Sequence, residues 1–81
     1  MKTITDYGAA LDEAGARGAA WVVAQAGAGG RWLIEGHQGY TCRRLWSVMV
    51  ERDPAGFLRA AGLDHLAVND RQSDGRMVFF D

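Results

Sequence analysis

Four arginines in the middle of the chain, Arg43, Arg44, Arg52 and Arg59, are the residues whose chemistry is easiest to name. Each offers a planar fork of N–H donors suited to carboxylates and phosphates, and arginine is enriched at binding hot spots. Trp46 stands among them, and three tryptophans are more than a core of this size requires, so one is expected at the surface. Arg43, Arg44, Arg52, Arg59 and Trp46 together are the expected partner-binding set. The competing interpretation is a solvated helical face, with Glu51 pairing to nearby arginines.

Other chemistries find weaker support. Cys42 with His37 or His65, and Asp64 as the orienting acid, has the residue types of a cysteine nucleophile and its base. Cys42 equally fits a small buried apolar residue beside Leu45 and Trp46, and His37 fits a turn. A structural zinc site needs four ligands in close pairs, which these three residues do not make. Residues 70–81 set Asp70, Gln72, Asp74, Gly75 and Asp81 at positions that partly fit a calcium loop. The flanks, however, have the pattern of strands, and Gln72 and Asp81 replace the expected ligands, so a polar hairpin turn is the better interpretation. Gly27-Ala28-Gly29-Gly30 lacks the lysine and hydroxyl of a phosphate loop and leads into a strand pattern, as a hairpin tip would. No catalytic group, metal or cofactor is expected.

Composition narrows the classes further. With 81 residues, 48% of them hydrophobic, the chain has the makings of one folded domain over 1–81 and lacks the polarity of a disordered one. Nine basic and ten acidic residues give a net charge of -1, which disfavours a dedicated nucleic-acid binder. The charges are uneven: five arginines face three acids in residues 31–62, and two face four in 63–81. One cysteine, no signal-peptide pattern and no long apolar run point to a cytoplasmic protein outside the membrane.

The elements that would position these residues follow from periodicity. Thr3-Ile4-Thr5-Asp6 fits a capping box, after which Ile4, Tyr7, Leu11 and Ala14 recur at helical spacing until Gly15 and Gly18. Residues 19–25 and 31–35 have the character of a hairpin, with Trp32 and Ile34 on one face and Arg31, Leu33 and Glu35 on the other. Gly36-His37-Gln38-Gly39 predicts a turn. Residues 41–51 are ambiguous: Cys42, Leu45, Trp46, Met49 and Val50 fall on one helical face, while Trp46, Val48 and Val50 alternate as in a strand. The helix is preferred. Asp53-Pro54 marks a second helix, carrying Phe57, Leu58 and Ala61 inward to Gly62. Residues 66–69 and 76–80 form the last hairpin.

The expected fold is therefore a compact α+β domain in the order α-β-β-α-α-β-β, with two antiparallel hairpins. A faint duplication relates Asp6, Leu11, Ala14-Gly15 and Gly30-Arg31-Trp32-Leu33-Ile34 to Asp53, Leu58, Ala61-Gly62 and Gly75-Arg76-Met77-Val78-Phe79. With 41–51 as a third strand the order becomes α-β-β-β-α-β-β. Its first five elements then follow the order of a double-stranded-RNA-binding domain, without the lysine-rich helix start such a domain needs. The function expected is a non-catalytic protein–protein interaction module, an inhibitor or adaptor. Its class includes phage and mobile-element inhibitors of host defence such as anti-CRISPR proteins. A nucleic-acid-binding domain using the central arginines and a small cysteine-dependent enzyme are the alternatives. Exposed strand edges and the apolar Met77 to Phe80 run also permit a homodimer.

Overall fold

A computed structural model describes residues 2–39 and 43–81. The chain opens extended. The Ile4 amide donates to the Ser47 carbonyl at 3.0 Å and the Ile4 carbonyl accepts from Met49 at 2.9 Å, which makes a single parallel bridge to Val48. Helix α1 then covers Tyr7–Arg17, and its cap is Asp6, whose carboxylate accepts from the Ala9 amide at 2.9 Å. The expected Thr3 capping box is thus displaced by one turn: Thr3 instead meets the Ser47 hydroxyl at 3.4 Å, because Ile4 is committed to the strand bridge. Ala10 and Ala14 are fully buried and let α1 approach the sheet closely. The helix ends where Gly18 takes φ 65°, a conformation glycine adopts without strain.

Five strands make one antiparallel sheet: β1 Trp21–Ala26, β2 Trp32–Gln38, β3 Arg43–Val50, β4 Ala67–Arg71 and β5 Arg76–Phe80. Their order across the sheet is β3-β2-β1-β5-β4. Helix α2, Pro54–Ala60, joins β3 to β4, and Asp53 caps it by accepting from the Gly56 amide at 3.2 Å. The class is α+β, in the order α-β-β-β-α-β-β.

Two expectations are corrected. Residues 43–50 are a strand, not the preferred helix, since pairing with β2 from Trp32↔Val50 to Gln38↔Arg43 directs Trp46, Val48 and Val50 into the core. The remainder of that ambiguous stretch, including Thr41 and Cys42, lies outside the described residues. Nor do residues 36–39 form the expected turn, because β2 continues to Gln38 through a bulge at Gly36/His37. Gly36 is there to admit a neighbour: a methyl group on it would overlap Cε2, Cζ2 and Nε1 of the Trp46 indole.

Both helices pack on the same face of the sheet. Ala10 and Ala14 from α1, Phe57 and Leu58 from α2, and Val22, Ala24, Ile34, Trp46, Val48, Val50 and Phe79 from the strands form a single core. This is the layer arrangement of helices gathered on one side of an antiparallel sheet. Each helix–hairpin unit of the duplication is present, but the hairpins are not equivalent. β1 is central while its counterpart β4 is at the edge. Of the double-stranded-RNA-binding order, the start of α2 offers Asp53-Pro54-Ala55-Gly56 and no lysine. No helix among the described residues is long and apolar enough to cross a membrane.

Candidate binding surface

The strand at 43–50 separates the arginines that a helix would have gathered. Arg43 and Arg44 begin β3 and Arg52 follows its far end, so the strand's rise alone puts roughly 23 Å between the two groups. Arg44 lies across from His37, and its Nη1 meets Glu35 Oε2 at 2.6 Å. Arg52 stacks its guanidinium 4.4 Å from the centre of the Tyr7 ring. Arg59 sits in the last turn of α2, on the helical side. Trp46 is buried, 1% exposed, and its Nε1 donates to the Gly18 carbonyl at 2.9 Å. It ties the end of α1 to the sheet and is shielded from solvent.

The sheet's second face carries another set of side chains. Because alternate strand residues point to opposite sides, burying Val22, Ala24, Ile34 and Phe79 turns Trp21, Val23, Leu33 and Phe80 the other way. Their cross-strand neighbours His37, Glu35, Met49, Val78, Gln25 and Arg76 lie on that face, as does Ser47, which is buried with the Thr3 hydroxyl against it. No helix or strand among the described residues packs over it. Trp21 and His37 stack face to face, ring centres 4.2 Å apart and planes 9° from parallel, and Trp21 Nε1 donates to the Gly39 carbonyl at 2.8 Å. Beside them a notch of about 470 Å³ is lined by Ala20, Trp21, Gly39, Val78, Phe80 and Asp81. Phe80 is 42% exposed, the one large apolar side chain so open among the described residues. The charged members of the face are tied internally: Arg44 to Glu35, and Arg76 Nε to Gln25 Oε1 at 3.2 Å.

The remaining candidates resolve differently. His37 is a strand residue, and neither of its ring nitrogens, both shielded from solvent, has a hydrogen-bond partner among the described residues. Cys42 lies outside those residues, while Asp64 and His65 are exposed between α2 and β4. No three His, Cys, Asp or Glu side chains among the described residues gather closely enough to hold a metal ion. The calcium-like spacing is spent on a hairpin: Asp70 pairs across from Val78, and Asp74 Oδ1 accepts the Arg76 amide at 3.2 Å.

Neither sheet edge is an open template. Ile4 pairs with the outer side of β3, and Arg17 Nη1 donates to the Leu45 carbonyl at 3.4 Å. On β4 the register shifts between Val68 and Asp70, and the Asn69 side-chain Nδ2 donates to the carbonyls of Ala67 and Phe80. A bulge and exposed charges of this kind discourage edge pairing.

The surface-presented tryptophan is therefore Trp21 and not Trp46. The signal for it is the alternation of residues 21–25 against the small, buried Val22 and Ala24. Leu33 carries a similar signal, lying between Arg31 and Glu35 on the outward side. Comparison with protein-family models, curated proteins and solved structures returns no match.

Proposed function

We propose that the chain is a non-catalytic protein-binding module that presents the helix-free face of its sheet to a folded protein partner, as an inhibitor or adaptor does. The observation that carries this reading is a contiguous apolar surface of half-buried Trp21, Val23, Leu33 and Val78 with exposed Phe80, set on neighbouring strands of the sheet. Five strands about 4.8 Å apart and about 20 Å long offer roughly 500 Å². A matched partner brings the buried total to about 1,000 Å², the lower bound of a specific interface. Aromatic residues, methionine and arginine on this face are the types enriched at interfaces. The internal pairing of Arg44 and Arg76 leaves a centre suited to an apolar protein surface, not to phosphates, and the guarded edges favour contact through the face. Inhibition of a host defence complex is one instance of this class that the same surface would serve.

The test is comparative. The tagged wild type should capture a stoichiometric protein partner from nuclease-treated lysate, and Leu33→Lys should weaken that complex by about 30-fold or more, the effect of a hot-spot loss. The variant's melting temperature should stay close to the wild type's, since Leu33 is outside the core. A partner that binds Leu33→Lys as tightly as wild type would overturn the face as the binding surface. Sedimentation of the isolated chain as a dimer that Leu33→Lys dissolves would assign the face to a second copy instead.

A further inference from the structure

At the end of the sheet remote from Trp21, a second surface has its own chemistry. A cleft of about 700 Å³ lies between the residues leading into α1 and the ends of β2 and β3, lined by Thr5, Tyr7, Arg31, Met49, Glu51 and Arg52. Arg52 is held in place there. Its guanidinium lies 4.4 Å from the Tyr7 ring centre, and Tyr7 in turn meets Phe57 edge-on at 6.1 Å. Phe57 is fully buried, so this stack rests on the core. A guanidinium over an aromatic ring is attracted by the ring's charge distribution and still has N–H donors for a second partner. On the other wall Arg31 Nε meets Glu51 Oε1 at 3.2 Å. That pair is weakly held: the two side chains are 58% and 70% exposed, and ion pairs in such settings contribute little. The lining thus carries two guanidinium groups and one carboxylate, and that carboxylate pairs with Arg31.

We infer that this cleft receives an acidic side chain of a protein partner, an Asp or Glu carboxylate. Arg52 supplies the bidentate fork, and Glu51 is the chain's own carboxylate, which occupies Arg31 until the incoming one displaces it. A protein carboxylate fits better than a nucleic-acid backbone. Arg31 and Arg52 are the basic residues of the lining, whereas binding to a phosphate chain draws on a longer basic track than two arginines provide. The inference rests on the protein-binding reading for the source of the carboxylate, but it is carried by Arg31, Glu51 and Arg52, none of which belongs to the open face.

The test is a titration of the full chain with a hexaglutamate peptide, following the arginine Nε–H resonances by NMR, with inorganic phosphate and a ten-nucleotide oligothymidylate as parallel probes. The peptide should shift Arg52 saturably. Arg52→Gln should weaken peptide binding about tenfold, as expected when a charged hydrogen-bonded partner is lost. Glu51→Gln should tighten it several-fold by removing the competing carboxylate, an increase that loss of structure would not mimic. Equal peptide affinity for wild type and Arg52→Gln, or weaker binding by Glu51→Gln, would overturn the inference. So would an oligothymidylate or phosphate response at Arg52 without a peptide response, which would assign the cleft to phosphate. Loss of the peptide effect with a Leu33→Lys-sensitive partner intact would sink this inference and leave the open-face reading standing.

Discussion

Gly36 and Trp46 explain each other. The indole occupies the space where any other residue at 36 would place its first side-chain carbon, and it reaches across to bond the Gly18 carbonyl. Gly36→Ala should therefore force the ring or β2 to move, costing about 1–3 kcal/mol as overpacking does. Urea denaturation monitored by tryptophan fluorescence would measure this, and an unchanged midpoint would show that the ring has another place to go. From the sequence, Gly36 carries only the local meaning of a turn glycine, because the side chain that requires it lies ten positions along and meets it only through the β2–β3 register. The same limitation exchanged the tryptophans. Residue type alone marks all three as candidates for a binding surface, and only the direction of each strand's core face separates Trp46, inside, from Trp21, outside. The type of Arg52 makes it a candidate binding residue in the sequence, but its Tyr7 platform was not legible there, since nothing local relates positions 7 and 52.

Among the elements, those defined by neighbouring residues were readable. Asp53-Pro54 starts α2 as its own chemistry dictates, and Gly18 stops α1. β3 was harder because its apolar residues satisfy two periods at once, and what selects the strand is hydrogen bonding to β2, a partner that precedes it in the chain. The extended residues before α1 show the same dependence. Ile4 fits the helical period of Tyr7, Leu11 and Ala14, yet it serves β3 with both its backbone groups. Ile4→Pro would remove the donor to Ser47 and uncover that side of β3. It should lower stability by about 1 kcal/mol for the lost backbone hydrogen bond, and further for the Ile4 side chain packed against the core, and raise the tendency to aggregate, as an unguarded edge does. Thermal melting and light scattering would check both effects. A variant that melts and scatters like the wild type would show that Arg17 and the Thr3–Ser47 contact guard the edge unaided.

At the scale of the whole molecule, the α+β class and the two helix–hairpin units were accessible from pattern, whereas the placement of the second hairpin beside β1 was not. The repeated motifs suggest equivalence, but sheet order is decided by which apolar faces meet. The open face was likewise invisible, because a strand's outward residues do not disclose whether a second layer covers them. β1 is joined on one side to β2, its neighbour in sequence, and on the other to β5, with Trp21 opposite Phe80 and Gln25 opposite Arg76. Amides in β1 and β5 should exchange with solvent only on global unfolding, while those of β4, at the edge, should exchange at least about tenfold faster through local opening. Uniform protection across the five strands, measured by hydrogen exchange, would contradict that gradient. The β1–β5 seam has a further meaning in time. Closing it joins segments more than fifty residues apart, the type of contact that forms slowly because a long loop must be ordered first. Until it closes, the middle of the future sheet is an edge, with β1's hydrogen-bonding groups unsatisfied on one side. The native fold hides this strand most thoroughly, yet during folding it is the one that waits longest for its partner, so the speed of the seam sets how long the chain is exposed to wrong pairings.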